Sequence, residues 1–257
     1  MQYATYVAAV LLLSSNVVAD ETGALDEPPP YTMLWAAEDY SYLANDEDRF
    51  RFVAELYHGY NSGEKEFAQY DELDWHQGYV ELDSRIPGPG QLSFRLGRQE
   101  MAFGAARLIG IREGLNIRRT FDAAHAILTI NGTTVNAFYG REVRSEFYVF
   151  DNDFVLFDDS SGNPELWGLY TRFFIPGDIG DTEAYYLGFQ VDSARFNDVA
   201  GKEIRHTLGI RRIGTIGERW HYNTELIYQF GDIAGQKIRA YNVETDWYYD
   251  LVRTLCS

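Results

Sequence analysis

The chain has 257 residues, of which 46% are hydrophobic, 16% aromatic and 24% charged, and its formal net charge is −17. This apolar content excludes an intrinsically disordered chain, because disordered chains lack the apolar surface whose burial offsets the loss of conformational entropy. The longest wholly apolar run, residues 7–13, is far shorter than the roughly 20 residues of a membrane-spanning helix, and the acidic charge argues against nucleic acid as a partner.

The first 19 residues have the features of a secretory signal peptide. An apolar core at residues 7–13 is followed by small side chains at residues 17–19, which fit a cleavage site before Asp20. No Lys or Arg precedes this core, and a buried N-terminal helix is the alternative interpretation. We predict a signal peptide at residues 1–19 and therefore an exported protein.

Residues 20–48 differ in composition from the rest of the chain. They are acidic and contain a Pro triplet at residues 28–30, which is extended and cannot join a helix. We predict a periplasmic leader outside the main fold at residues 20–48. A β-barrel region follows at residues 49–247, and an off-pattern tail ends the chain at residues 248–257.

From residue 49 onward, apolar and polar side chains alternate in segments that turn signals separate. In the most informative segment, one set of alternate positions is aromatic at both ends and aliphatic near the middle: Trp220, Tyr222, Thr224, Leu226, Tyr228 and Phe230. This arrangement is typical of a lipid-facing strand between two aromatic girdles. The positions between them are mostly polar, which is typical of a strand that lines a wet lumen: His221, Asn223, Glu225, Ile227 and Gln229.

About nine or ten such segments approach the roughly 9–11 residues of a tilted membrane strand. Tight turns such as Asn131-Gly132 alternate with longer polar loops, which is typical of outer-membrane barrels. We therefore predict an all-β protein with an antiparallel transmembrane β-barrel of porin type that is incomplete. The alternative is a secreted β-sandwich, which has the same alternation but turns its apolar face inward.

The segment 95–119 is basic within an acidic chain. It holds six arginines and two acids: Arg95, Arg98, Arg107, Arg112, Arg118 and Arg119 with Glu100 and Glu113. On a lumen wall these arginines would form an anion-selective constriction, because rings of Arg attract anions and repel cations. The alternative is that several of them pair with the bracing acids Glu100, Glu113 and Asp122 and hold a loop that is folded inside the barrel.

The motif at residues 96–104, LGRQEMAFG, continues to Phe121-Asp122, and further motifs lie at residues 38–43 and 228–231. Together they resemble the alginate export family of outer-membrane β-barrels. The resemblance implies a porin-class barrel in the outer membrane of a Gram-negative bacterium, a monomer if the barrel closes. Its best-known member passes the anionic polysaccharide alginate through an arginine-lined lumen. The resemblance also implies a set of lumen or inner-loop residues that bind anions: Arg98, Arg107, Arg112, Arg118 and Arg119.

Two features depart from that family's pattern. Family members have additional strands between the 38–43 motif and the strand that starts near Arg49, whereas here the two segments abut. The pattern also stops at Asp246-Trp247, and the tail lacks the terminal aromatic residue of a completed barrel. Porin-class barrels have about 16–18 strands. We therefore expect a truncated or frameshifted relative, which closes as a smaller barrel, pairs with another chain or does not work.

No motif indicates an enzyme. The acid pair Asp158-Asp159 does not by itself establish a glycosidase, and the five His lack the spacing of metal ligands. The loop at residues 151–159 carries four Asp that would suit Ca²⁺ but lacks the regular spacing and the Gly of a calcium-binding hand.

We predict an outer-membrane protein without a cofactor. Its partners are outer-membrane lipid and either an anionic polysaccharide or small anionic solutes, and its function is their passive passage. The rival hypothesis from another class is a secreted, soluble carbohydrate-binding β protein, whose Tyr and Trp side chains would stack on sugars.

Overall fold

The structure is a computed structural model of the chain. It describes residues 6–12, 31–43, 48–61, 71–111, 118–144, 154–156, 162–175 and 180–250. Within these ranges the regular elements are twelve strands, and no segment forms an apolar helix of membrane-spanning length.

Each strand is hydrogen-bonded to its neighbours in the sequence, so that one sheet runs in the order β1 to β12. The strands are β1 (Tyr6–Leu12), β2 (Tyr31–Leu43), β3 (Asp48–Asn61), β4 (Asp71–Ile86), β5 (Gly90–Gln99), β6 (Phe121–Ile130), β7 (Thr133–Glu142), β8 (Glu165–Phe174), β9 (Gly180–Phe196), β10 (Val199–Ile216), β11 (Trp220–Ile233) and β12 (Gln236–Tyr249). Ten of them, β3 to β12, coincide with the predicted barrel region. The all-β antiparallel class and the expected nine or ten strands are thereby confirmed.

Strand β2 differs from the predicted extended leader. Residues 31–43 pair with β3 from Tyr31 opposite Asn61 to Leu43 opposite Arg49. The physical reason is that this segment is rich in Tyr, Thr, Trp and Leu and contains no Pro or Gly, which favours a strand. Residues 31–43 therefore belong to the sheet and do not lie outside the fold.

The two ends of the sheet also extend past the predicted barrel region. Strand β1 lies within the predicted signal peptide and pairs with β2, from Tyr6 opposite Ser41 to Leu12 opposite Trp35. Cleavage before Asp20, which stays a prediction, would leave β2 as the first strand. At the other end, β12 continues past residue 247 to Tyr249, so the first two residues of the predicted tail are part of a strand.

The chain divides into two compact units. The first unit comprises Met1–Arg85, Ser93–Ala124 and Gly140–Asn163, and the second comprises Ile86–Leu92, His125–Tyr139 and Pro164–Ser257. The first unit thus contains β1 to β3, nearly all of β4 and most of β5. The second unit contains β8 to β12.

The first unit has a small apolar core around the connection between β5 and β6. Met101 and Phe121 are almost fully buried, and Leu156 is buried as well. Backbone hydrogen bonds fix this connection: the Phe103 N–H donates to the Ile109 carbonyl over 3.2 Å. The described residues 100–111 of the β5–β6 connection are therefore folded, and Met101 in this segment packs in a buried core.

The sheet of each unit has two chemically different faces. In the first unit, the apolar side chains of Phe50, Leu82 and Phe94 are exposed, whereas the polar side chains of Glu81 and Ser93 on the opposite face are buried. We call the apolar, exposed face of each unit its outer face and the polar face its inner face.

In the second unit, the alternation predicted for residues 220–230 is clear at Trp220 and at residues 225–228, and Thr224 and Phe230 are partly exposed. Trp220, Leu226 and Tyr228 are 49%, 48% and 46% exposed, whereas Glu225 and Ile227 are 5% and 8% exposed. The exception is Tyr222 on the outer face, which is buried because its ring lies 5.7 Å from that of Trp247 on β12. The outer face of this unit therefore presents aliphatic and aromatic side chains outward.

Candidate functional site

The inner face of the first unit carries charged side chains that pair across neighbouring strands. Register places Arg49 of β3 opposite Asp83 of β4, and Arg51 opposite Glu81. The Arg49 Nη2 atom lies 2.8 Å from Asp83 Oδ2. Arg51 and Arg95 both donate to the carboxylate of Glu81. Strand alternation thus gathers three arginines and two acids on one surface.

Glu81 is the centre of this arrangement. Its side chain is almost fully buried between the guanidinium groups of Arg51 and Arg95, which are each partly exposed. Two arginines on one carboxylate leave a formal surplus of one positive charge in this triad. Because charge-assisted hydrogen bonds are strong and directional, the triad is ordered while its outer guanidinium edges still reach solvent.

Arg98 is placed differently from these arginines. It is 3% exposed and donates from Nε and Nη2 to Asp122 Oδ1 and Oδ2 over 2.9 and 3.2 Å. Asp122 is fully buried and also accepts the Val155 N–H over 2.7 Å. Gly97 adopts φ +135°, and the next two residues, Arg98 and Gln99, are both buried, so the strict alternation of β5 ends there. This pair supports the alternative in which the arginines pair with acids and hold a loop, because Arg98 and Asp122 join β5, β6 and residues 154–156.

Glu100 follows β5 and joins two further groups. Its Oε1 atom lies 2.9 Å from His76 Nε2 and 3.4 Å from Arg118 Nη1. Burial raises the pKa of the Glu100 carboxyl, but the hydrogen bond from His76 and the nearby charges of His76 and Arg118 outweigh that effect and hold the pKa below its ordinary value of 4.5. The Glu100 carboxylate therefore joins His76 of β4 to Arg118 near the end of the β5–β6 connection.

The remaining predicted residues are not brought together in one cluster. Arg119 pairs with Glu142, with Nε 2.9 Å from Oε1. Arg107 lies on the exposed part of the β5–β6 connection. Arg112 and Glu113 lie outside the described residues. The structure therefore describes four of the five predicted arginines: Arg98 is buried, Arg118 and Arg119 pair with acids, and Arg107 is exposed.

The inner face of the second unit carries a network that the sequence did not single out. The Tyr170 hydroxyl and the Arg211 Nη1 atom both donate to Glu183 Oε2, over 2.8 and 2.9 Å. The Tyr185 hydroxyl donates to Glu225 Oε1 over 2.6 Å, and its ring stacks on Tyr170 at 5.1 Å. The alternation that predicted the lipid-facing positions could also have identified this network, because it places the side chains between those positions on the inner face.

Charge differs between the two inner faces. On β10 to β12, register places four carboxylates and two arginines on the inner face: Glu203, Glu225, Glu244 and Asp246 with Arg205 and Arg211. On β3 to β5 of the first unit, Arg49, Arg51 and Arg95 share the inner face with Glu55, Glu81 and Asp83. Of these two surfaces, the inner face of β10 to β12 is therefore the more acidic.

No metal site is found in the part of the chain that the structure describes, since no group of three or more His, Cys, Asp or Glu side chains could hold an ion there. The aspartates considered for Ca²⁺ lie outside the described residues: Asp151, Asp153, Asp158 and Asp159. The absence of a cofactor stays a prediction.

Comparisons with known proteins give one match. In a scan against protein-family models, the family described as alginate export matches residues 22–255. This range includes strands β2 to β12 and most of the tail that the sequence suggested was off-pattern. Neither the search of curated proteins nor the search of solved structures found a match.

Proposed function

The chain belongs to the alginate export family, which is a family of outer-membrane β-barrels for transport and not an enzyme family, and we propose that it is an outer-membrane channel for the passive passage of anionic solutes. The solute class is an anionic polysaccharide of the alginate type or a small anion. Lipid of the outer membrane surrounds the outer face.

The separation of the two faces is the observation that carries this proposal. Leu226 and Tyr228 on the outer face are about half exposed, whereas Glu225, which precedes Leu226 and lies on the inner face, is buried and hydrogen-bonded. Exposed apolar side chains on one face are costly in water but favourable in hydrocarbon. A polar inner face favours a water-filled lumen, through which charged solutes pass.

The arginine pairs of the inner face suggest how an anion is held without being trapped. Arg51 and Arg95 already share Glu81, so a solute carboxylate that enters competes with an internal carboxylate for the same guanidinium donors. Such exchange keeps each contact weak, and conduction requires binding that is favourable enough for entry and weak enough for release. Arg98 serves as a brace in this mechanism, whereas Arg107 and Arg118 are accessible enough to meet the solute.

Planar-bilayer conductance tests the proposal. The reversal potential of the purified chain in a KCl gradient should indicate anion preference, and Glu81→Gln should increase it because the triad gains net positive charge. Arg107→Gln with Arg118→Gln should decrease the preference. A unit charge roughly 10 Å away contributes about 0.8 kcal/mol at an effective dielectric constant of about 40, which changes the permeability of each ion about fourfold. Because the effect has opposite signs for the anion and the cation, each charge should change the anion-to-cation permeability ratio by up to about 16-fold.

Arg219→Gln is the matched control, because it removes one positive charge at the rim, where Arg219 donates to the Tyr249 hydroxyl. This variant should leave the reversal potential unchanged. Equal effects of all variants, or cation preference in the unmodified chain, would contradict the anion channel. Cell fractionation is the second test: a protein that is soluble without detergent and binds sugars would support the secreted carbohydrate-binding alternative.

A further inference from the structure

Strand β12 forms an open edge of the sheet. Within the described residues it pairs with β11 and with no other strand, and this pairing runs without a bulge along the whole of β12. Tyr241 and Val243 on its outer face are 84% and 61% exposed, and Tyr248 on its inner face is 59% exposed. Exposure of both faces distinguishes β12 from β11, whose inner face is buried at Glu225 and Ile227.

The open edge presents backbone hydrogen-bonding groups at the odd-numbered residues of β12. At the next position after the strand, the Asp250 N–H donates to the Arg219 carbonyl beside β11. Backbone groups of successive residues point to opposite sides of a strand, so the even-numbered residues bond to β11 and the odd-numbered residues, from Lys237 to Tyr249, point away from it. Unpaired backbone groups are costly in hydrocarbon and make an edge a template for another strand.

The sequence of β12 is complementary to itself in one antiparallel register. If two copies meet with Val243 opposite Val243, odd-numbered residues face odd-numbered residues, so both backbone edges are paired and both outer faces lie on the same side. This register places cations opposite aromatic rings and no acid opposite an acid. The opposed pairs are Lys237 with Tyr249, Ile238 with Tyr248, Arg239 with Trp247, Ala240 with Asp246, Tyr241 with Thr245 and Asn242 with Glu244.

The neighbouring registers are less favourable. A register centred on Glu244 places two copies of this carboxylate directly opposite each other, which is destabilising. A register centred on Asn242 places Asp246 opposite Ile238, so an acid faces an aliphatic side chain. Cross-strand chemistry therefore selects the register centred on Val243.

Arg239 and Trp247 make the most specific contact of the selected register. Both side chains are exposed on the outer face. The same kind of pair already occurs within the sheet, where Arg205 of β10 lies opposite Phe189 of β9 and its Cζ atom is 5.1 Å from the centre of the ring. A guanidinium over a tryptophan ring is the most favourable pair of this type.

We propose that two copies of this chain associate through their β12 edges, antiparallel and about a two-fold axis at Val243. The partner is a second copy because each half of β12 carries what the other half pairs with, cations near its start and aromatic rings near its end. Such a contact is isologous and closes at two copies. The inference rests on the proposed placement in the outer membrane, where an open edge is penalised, but it does not require conduction.

Disulfide cross-linking of the purified chain in detergent tests the contact at one residue. All variants carry Cys256→Ser, so that no other thiol is present. Val243→Cys should form a covalent dimer on mild oxidation, because opposed Cα atoms of a hydrogen-bonded pair are about 5.5 Å apart and disulfides span about 4.4–6.8 Å. Leu226→Cys is the matched control, since Leu226 is 48% exposed and lies opposite Val243 on β11. The proposed contact separates its two copies by three strand spacings, about 14 Å, so cross-linking should be at least about tenfold slower.

Val243→Pro tests the backbone pairing. This substitution removes an N–H that points toward the open edge and leaves the bonds to β11 in place, and proline is tolerated on edge strands. Because two-fold symmetry removes the donor twice, the dimer dissociation constant from sedimentation equilibrium in density-matched detergent should rise about tenfold or more. Val243→Thr keeps both the N–H and the branched side chain and should leave the constant unchanged. Trp247→Ala should raise it about fivefold or more, because two cation–π contacts are lost.

Any of four results would overturn the inference. They are a monomer at every protein concentration, equal cross-linking of Val243→Cys and Leu226→Cys, an unchanged dissociation constant for Val243→Pro, or a different protein bound one-to-one in place of the second copy. An anion-selective monomer rejects only this inference. A dimer that prefers cations rejects only the anion channel.

Discussion

Arg211 in the second unit and Arg98 in the first unit are both buried and both paired with an acid, but the two pairs are positioned by different means. In the second unit, Arg211 meets Glu183 because antiparallel register places the two residues directly opposite each other on β10 and β9. In the first unit, Arg98 meets Asp122 where alternation ends at Gly97, and Asp122 also holds the backbone of Val155. Register pairs Arg211 with Glu183 just as it pairs Arg49 and Arg51 with Asp83 and Glu81 in the first unit, whereas Arg98 is held by a buried carboxylate that joins separate segments.

The largest expected effect is that of Asp122→Ala. This substitution leaves Arg98 buried without a carboxylate and the Val155 N–H without its acceptor. Removing one member of a buried ion pair costs about 3–5 kcal/mol. Urea-induced unfolding in detergent, followed by tryptophan fluorescence, measures this loss in the free energy of unfolding.

The control is Asp181→Ala in the second unit. Asp181 pairs with Arg172 at an exposed position, and exposed ion pairs contribute about 0–1 kcal/mol. Similar losses for the two variants would break the comparison between the units, because Asp122 would then contribute no more than a surface acid.

Gly209→Ala tests how tightly register packs the second unit. A Cβ atom there would lie 2.0 Å from Cζ of Tyr185, the ring that also donates to Glu225. Overpacking of this kind costs about 1–3 kcal/mol, and we expect the upper end, near 2–3 kcal/mol, because the ring cannot move without losing its hydrogen bond. In the Tyr185→Ala background the same substitution should cost less than about 1 kcal/mol, as measured in a double-mutant cycle. Equal costs in both backgrounds would show that the ring does not limit the site.

Glu183→Gln should have a smaller effect, of about 1–2 kcal/mol. The amide oxygen still accepts hydrogen bonds from Tyr170 and Arg211, and Arg211 keeps its bond to Asn223 Oδ1 at 2.8 Å. Only the charge is lost, and urea-induced unfolding in detergent measures the change in the free energy of unfolding. If Glu183→Gln lowered the free energy of unfolding as much as Asp122→Ala, the remaining hydrogen bonds of Arg211 would not compensate for the lost charge.

The sequence alone predicted the faces of the second unit because strand alternation has a fixed period. Leu226 and Tyr228 are exposed and Ile227 is buried, as that period requires. The burial of Tyr222 against Trp247 was not predictable, since it depends on the register between β11 and β12. Local pattern gives side-chain direction, but it does not give the partner on the next strand.

In the first unit the sequence supplied candidates without deciding between them. Arg98 was predicted as a lumen or inner-loop residue and Asp122 as a bracing acid. The structure pairs the two where the backbone changes at Gly97, which alternation does not predict. The contact of Asp122 with Val155, 33 residues away, had no signal in the sequence. The strand β2 was missed because the Pro triplet suggested a separate leader.

The smallest expected effect concerns the pH dependence of the first unit. The pKa of Glu100 is lowered in the folded chain, so its contribution to stability is present above its ordinary pKa of 4.5 and is lost as the pH falls through the lower folded value. Below pH 4.5 the free energy of unfolding of the unmodified chain should therefore fall more steeply than that of Glu100→Gln, by less than about 1 kcal/mol because the pair is partly exposed. Urea titrations at several pH values measure the difference. Parallel profiles would mean that His76 and Arg118 are held without the Glu100 charge, and that Asp122 alone organises the β5–β6 connection.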